Sequence, residues 1–148
     1  GYECRHNCGY WQRRNYLGLG LGAASLIDGT RWKNTTEMEM FLRTFENGGA
    51  PEEIYTEKEK LSLKDCMEEY MFLGLRMSNG VSKEEFMNEF GTSYDLVYGE
   101  VTEHMEMQGL MNERKRELIN GGQETRVFLT PRGVDVSNTV MAEFMLDE

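Results

Sequence analysis

Glu3-Cys4-Arg5-His6-Asn7-Cys8-Gly9-Tyr10-Trp11 gathers two thiols, an imidazole and two aromatic rings into nine residues of a chain with three cysteines and two histidines. Three kinds of chemistry suit that set: a metal knuckle, a surface for a flat cofactor, or one half of a site completed by other residues. Cys4, His6 and Cys8 are acceptable zinc ligands by type. Their one-residue spacings do not match the usual knuckle, and no second cysteine pair follows. Cys4 and Cys8 also open the Cys-x3-Cys-x2-Cys pattern that holds a four-iron cluster, but position 11, where the third thiolate belongs, is Trp11. A local metal site is therefore not expected. A lone histidine is more often hydrogen-bonded structure than a ligand, and Tyr10 and Trp11 more often pack than stack on a cofactor. One imidazole beside two rings still makes a suitable surface for a flat, apolar tetrapyrrole.

The second chemical candidate is Gly18-Leu19-Gly20-Leu21-Gly22-Ala23, which satisfies the dinucleotide fingerprint Gly-x-Gly-x-x-Ala. That fingerprint needs a helix to open at once, whereas Asp28-Gly29 breaks the chain a few residues later. A Rossmann unit is rejected. Tyr16 to Ser25 reads instead as a buried strand ending in a loop where backbone comes close to something.

These residues must be held by elements that the rest of the sequence announces. Asp28-Gly29 is a turn, and Thr30-Arg31-Trp32 returns as a short strand. Thr36 is expected to cap a helix to about Glu46 with Met38, Phe41, Leu42 and Phe45 inward, stopped by Gly48-Gly49. Residues 50–56 read as a linker. Ser62 and Asp65 resemble a capping box ahead of a helix carrying Cys66, Tyr70, Leu73 and Met77, which ends at Asn79-Gly80. A short helix from Ser82 to Gly91 presents Phe86 and Phe90. A third helix from about Ser93 presents Leu96, Val97, Val101, Met105 and Gln108. Leu110–Leu118 and Thr125–Leu129 form a hairpin around Asn120-Gly121-Gly122, and Thr130-Pro131 opens a last helix with Val134, Met141, Phe144 and Met145 inward. Three helices, a hairpin and a closing helix are the plan of a winged-helix domain. The eleven methionines read as core, where Met fills irregular gaps, in preference to a soft binding surface; Cys66 reads as a small core residue.

Charge narrows the partners. Residues 57–148 carry 10 Lys and Arg against 19 Asp and Glu, while residues 1–56 carry 6 against 7. Such a surface repels phosphate backbones and anionic membranes, and the third helix offers no Lys or Arg from Ser93 to Met111. A winged helix suggests DNA; its charge argues against it. No leader, no long apolar run and no disulfide framework are visible, so a soluble, non-secreted, cytoplasmic protein is expected.

His6-Asn7-Cys8-Gly9-Tyr10-Trp11 resembles the His-Asn-x-x-Tyr-Trp motif of the HemW branch of the oxygen-independent coproporphyrinogen III oxidase-like radical-SAM family. Further similarities follow in the family's order: Tyr16-Leu17-Gly18-Leu19-Gly20 with Gly22-Ala23, Arg31-Trp32 with Asn34, Leu73-Gly74-Leu75-Arg76, and Leu129-Thr130-Pro131-Arg132-Gly133 with Ser137-Asn138. The resemblance implies the C-terminal portion of a longer protein with an α+β fold: residues 1–36 the tail of a partial (β/α) radical-SAM barrel, 37–56 a helix and linker, and 57–148 a helical, winged-helix-like domain. It implies haem contacts at His6, with Asn7, Tyr10 and Trp11 supporting, and backbone contacts to S-adenosylmethionine at Gly20, Gly22 and Ala24. The family usually reads Gly-Pro-Gly-Ala-His-Ser where this chain has Gly20-Leu21-Gly22-Ala23-Ala24-Ser25, a departure at Leu21 and Ala24. By resemblance the parent binds S-adenosylmethionine and a [4Fe-4S] cluster through upstream cysteines, so this portion alone is expected to hold neither. It would be either a haem chaperone that passes haem to a receiving protein or an oxidase acting on a porphyrinogen. An acidic winged-helix domain that contacts protein partners is the alternative from another class.

Overall fold

The structure, a computed structural model, describes residues 13–119 and 121–146. It divides into two compact units, one ending at Ser62 and the other starting at Leu63.

The first unit is built on a three-stranded antiparallel meander, β1 (Ala24–Ile27), β2 (Thr30–Asn34) and β3 (Tyr55–Lys60), in that order. The β1–β2 turn is the expected one. Asp28 and Gly29 both take positive φ, 48° and 70°, the two-residue geometry whose twist matches the flanking strands. Asn15 clamps it by donating from Nδ2 to Asp28 Oδ1 at 2.9 Å and accepting from the Asp28 amide at 3.0 Å. Helix α1 (Met38–Glu46) follows β2. Its start differs from expectation: the N-cap is Glu37, with no side-chain cap, in place of Thr36, and Thr35 Oγ1 accepts from the Glu37 amide just ahead of the helix. Its buried residue is Thr44, with Phe41 half-buried and Met38, Leu42 and Phe45 exposed.

Residues 50–56 are not a free linker. Pro51–Ile54 form a 3-10 turn closed by Glu53, whose carboxylate accepts from the Ala50 amide, and Ile54 is buried. β3 then crosses position 57 and pairs with β2 through a bulge between Arg31 and Lys33. Its exposed side chains Glu57, Lys58, Glu59 and Lys60 are the charged residues with which edge strands resist further pairing.

The second unit runs α2 (Leu63–Gly74), β4 (Val81–Ser82), α3 (Lys83–Phe90), α4 (Tyr94–Met107), β5 (Met111–Glu117), β6 (Gln123–Leu129), α5 (Pro131–Asp135) and α6 (Ser137–Ala142). Its sheet order is β4-β6-β5. Helix–strand–helix–helix–hairpin is the winged-helix plan, completed by the two-residue β4 that periodicity alone did not reveal. Ser82 caps α3 by accepting from the Glu85 amide, and Gly91 ends the helix with a left-handed turn, both as the sequence announces.

The expected helix faces are met in part: Phe86, Met105, Met141 and Phe144 are buried as expected, while α2 and α4 are turned from the predicted stripe. α2 buries Met67 and Met71, one step on from Cys66 and Tyr70, which are half-buried. α4 buries Tyr94, Tyr98, Thr102 and Met105, and leaves Leu96 83% exposed. Val134 and Met145, expected inward, are exposed, while Val140, Met141 and Phe144 are buried. The core is thus aromatic at its centre, around Phe86, and rich in methionine at its edge. Burying Tyr94 removes its hydroxyl from water, where Thr102 Oγ1 meets it at 2.7 Å. Burial also lifts the Tyr70 phenol to about 12, with Glu85 adding to the effect.

One ion pair locks the hairpin. Glu124, only 7% exposed, takes Arg126 Nε at 2.9 Å and Arg116 Nε at 2.5 Å, and Arg126 also reaches Glu85. The Arg126 hydrogen bond holds the Glu124 carboxyl below its ordinary value of 4.5, against the opposing effect of burial, with Arg116 helping. A carboxyl lowered on folding contributes stability that is full above the unfolded value and is lost as pH falls through the folded one. Glu124→Gln is therefore expected to cost about 2 kcal/mol at neutral pH and to flatten the loss of stability below about pH 4.5. Urea unfolding at pH 7 and at about pH 3 measures both; an unchanged acid slope would contradict the assignment.

Candidate functional site

The glycine-rich segment is not a strand. Only Tyr16 bridges to the sheet, exchanging backbone hydrogen bonds with Leu26 at 2.9 and 3.0 Å. From Leu17 the chain leaves the sheet and turns back at Gly22 into β1, with Leu17 and Leu19 exposed. Alternation of glycine and leucine therefore marks a strap laid along the sheet end. Two buried polar side chains hold it. Ser25, fully buried, accepts from the Gly18 amide at 3.0 Å. Asn34 donates through Nδ2 to the Gly20 carbonyl at 2.8 Å and to the Gly18 carbonyl at 3.3 Å. The Gly22 amide is tied to the Thr35 carbonyl at 3.0 Å.

Each glycine does a different job. At Gly18 a Cβ would lie 2.3 Å from the Ala24 carbonyl oxygen, so backbone passes backbone where no side chain fits. Gly20 has φ +97° with nothing within 4 Å of the missing Cβ, and Gly22 has φ +63° with the Thr36 methyl at 3.3 Å. The strap thus shows bare main chain to open space at Gly20, a shape that suits close approach of an extended or flat ligand. Ala24 opens β1, exposed and opposite Lys33.

Gly20, Gly22 and Ala24 are therefore brought to one end of the first sheet. His6, Asn7, Tyr10 and Trp11, with Cys4 and Cys8, lie outside the described residues. Gly18 and Asn34 belong to the sequence pattern, but reading the sequence assigned them no task. Asn34 could have been singled out as a polar residue in a strand whose alternation puts it on the Trp32 face. Among the described residues, Trp32 Nε1 and Asn34 Oδ1 are buried without a hydrogen-bond partner. A donor and an acceptor on one face are thus left unsatisfied, which is costly unless something meets them.

In the second unit, α4 holds the place of a recognition helix. Its exposed side chains are Asp95, Leu96, Glu100, Glu103, His104 and Met107, and His104 Nε2 lies 2.7 Å from Gln108 Nε2. The one run of basic residues is on β5, Arg114 to Arg116, where Arg114 lies over the Phe128 ring at 4.8 Å and Arg116 is committed to Glu124. Lys83 is enclosed by Asp95 and Glu113 at 2.7 and 2.6 Å. Burial works against its charge, but these two hydrogen bonds outweigh it and hold its pKa above the ordinary lysine value. Among the described residues no group of three or more His, Cys, Asp or Glu is placed to hold a metal ion, and no helix is long and apolar enough to cross a membrane.

The fold and the strap together define an α+β protein whose second unit is a winged helix. Residues 61–119 match the HemN C-terminal domain. The chain belongs to the HemW/HemN type and carries its C-terminal domain. The heme chaperone HemW of Lactococcus lactis subsp. lactis (strain IL1403) is 36% identical over 149 residues, a match covering 100% of this chain and 35% of that protein. The heme chaperone HemW of Bacillus subtilis (strain 168) is 32% identical over 145 residues, with 98% and 35% covered. The chain thus spans about a third of the length of these curated relatives. Among solved structures, the coproporphyrinogen III oxidase (HemN) from Escherichia coli, described as a radical SAM enzyme, shares the fold with a TM-score of 0.61. It is 15% identical, over 89% of this chain and 28% of that one.

Proposed function

We propose that this chain is the C-terminal part of a haem-chaperone-type radical-SAM protein that binds haem and passes it to a receiving protein in the cytoplasm. One observation carries the reading: a match along the entire chain to proteins named heme chaperone HemW, running through the His6-Asn7-x-x-Tyr10-Trp11 motif. In this reading His6 supplies the axial nitrogen, Asn7 supports it, and Tyr10 and Trp11 cover a porphyrin face. Upstream cysteines of the parent hold the [4Fe-4S] cluster. The main chain at Gly20, Gly22 and Ala24 lies against S-adenosylmethionine, and the bare backbone at Gly20 together with the unsatisfied Asn34 Oδ1 fits a polar ligand there. Cluster and S-adenosylmethionine supply one-electron chemistry when bound; the residues of this chain orient the ligand and exclude water. The oxidase reading, decarboxylation of coproporphyrinogen III, draws on a 15%-identical likeness that speaks for fold alone. Nucleic acid and anionic membranes are disfavoured as partners by the charge of residues 57–148.

Hemin titration of the intact protein tests the proposal. A Soret shift is expected that His6→Ala weakens by about tenfold or more, the loss of one axial ligand, and that His104→Ala leaves unchanged. Circular dichroism accompanies each variant. Full hemin affinity in a folded His6→Ala variant would reject the ligand assignment.

A further inference from the structure

A groove of about 370 Å³ runs between α4 and the segment that follows α6, and it belongs wholly to the second unit. Its floor is apolar: Val97 and Val101, one turn apart on α4, face Met145 and Leu146. Its charged lining is two carboxylates, Glu100 on the helix and Glu143 on the facing segment, with the His104 imidazole beside them. No Lys or Arg lies between Ser93 and Met111 to neutralise it. Met145, 60% exposed, is an unbranched, adaptable side chain of the kind used at surfaces that accept varied partners.

A second feature points to an occupant. Tyr98 lines the same groove, is 1% exposed, and its hydroxyl is buried with no hydrogen-bond partner. The neighbouring Tyr94 hydroxyl, equally buried, has Thr102; nothing does the same for Tyr98. The Leu146 amide, which closes the groove's end, is spent on Glu68 Oε1 at 2.8 Å. An unsatisfied phenol under a groove is a cost that a bound polar group can remove.

The geometry points to this groove as a docking site for a basic amphipathic segment of a partner protein, its apolar side chains seated between Val97, Val101 and Met145 and its Lys or Arg side chains meeting Glu100 and Glu143. Charge decides the class of occupant. A phosphate backbone or the propionates of haem would be set against two carboxylates, whereas a cationic helix is attracted by both. The site is independent of the haem reading, because none of its residues belongs to the His6 motif or the glycine strap.

The test uses a fluorescein-labelled helical peptide of about 18 residues, or five turns, with Leu at helical spacing and Lys elsewhere, and a twin with Glu in place of every Lys. Anisotropy on the intact chain should give saturable, salt-weakened binding of the Lys peptide and none of the twin. Glu100→Lys with Glu143→Lys should weaken it at least about tenfold, while Glu46→Lys with Glu52→Lys, an equal charge change elsewhere, changes it less than about twofold. Tyr98→Phe and Met145→Ser should each weaken it severalfold with the fold retained by circular dichroism. Equal losses from the two double variants, binding of the Glu twin, no binding of the Lys peptide, or micromolar binding of a random DNA duplex would each overturn the proposal.

Discussion

Gly18→Ala is expected to dislodge the glycine strap and, on the proposed function, to abolish S-adenosylmethionine binding there, while the winged-helix unit stays folded. The new methyl would sit 2.3 Å from the Ala24 carbonyl oxygen and 2.9 Å from the Ala23 Cβ; Ala24 is held in β1, and Ala23 by the Asn34 amide that its carbonyl accepts. A collision with backbone cannot be relieved by a rotamer change. Relief means lifting residues 17–20, which breaks the Gly18 amide bond to Ser25 and both bonds from Asn34. Buried Ser25 and Asn34 are then left without partners, so the cost is about 3 kcal/mol from overpacking and lost hydrogen bonds together. Gly20→Ala is the control. It meets no atom within 4 Å and costs only the strain of a positive φ, about 1 kcal/mol. Calorimetric titration with S-adenosylmethionine, using the full-length protein with its cluster in place, should show no binding for Gly18→Ala and weakened binding for Gly20→Ala. If Gly18→Ala binds and melts like the parent, the strap is not held as described.

Phe86→Ala is expected to cost 3–5 kcal/mol, the usual range for deleting a buried phenyl ring. The ring is fully buried, with Phe90, Tyr94, Tyr70 and Tyr98 at centroid distances of 4.7, 5.6, 5.7 and 5.8 Å. The four rings are stiff and close poorly over the void, although the same core also holds methionines. Against a typical domain stability of about 5–15 kcal/mol, the winged-helix unit should melt about 15 °C or more below the parent. Leu96→Ala on the exposed side of α4 should stay within about 0.5 kcal/mol. Thermal unfolding by circular dichroism separates the two; a Phe86→Ala shift under about 5 °C would mean that the aromatic cluster does not hold the unit together.

What was legible in the sequence follows from which signals are local. Asp28-Gly29, the Ser82 cap and Gly91 act on the backbone beside them, and each lies where the sequence places it; the hairpin is also present, though its second strand begins at Gln123 and not Thr125. Helix phase was legible only in part: Phe86, Met105, Met141 and Phe144 were read inward and are buried, but the α2 and α4 stripes were placed off by a residue or more. Tyr94 and Tyr98 carry hydroxyls and were passed over for Leu96 and Val97, yet a phenol can be buried when, as for Tyr94, a partner waits about two turns on. β3 was missed because an edge strand needs no apolar face, so Tyr55-Thr56-Glu57-Lys58-Glu59-Lys60 looks like solvent-facing loop. Leu17, Leu19 and Leu21 misled in the opposite direction: alternation marks a strand only when both neighbours supply hydrogen bonds, and here Ser25 and Asn34 side chains take that place. For the candidate site, the glycines were visible as special, whereas the task of Asn34 depends on a contact 14 and 16 residues away in sequence.

That contact also sets how the first unit breathes. The Gly22 amide bonds to the Thr35 carbonyl, the Thr35 amide to the Ile54 carbonyl, and the Asn34 amide to the Ala23 carbonyl, so the strap, the end of β2 and the 3-10 turn are tied together by three backbone hydrogen bonds. Lifting the strap off β2 parts the Gly22 and Asn34 bonds together, and Thr35 beside them is expected to open with them. The amides of Gly22, Asn34 and Thr35 then share one opening free energy and exchange with deuterium at a common protection factor. A ligand resting on the strap would slow all three together, including those it never touches.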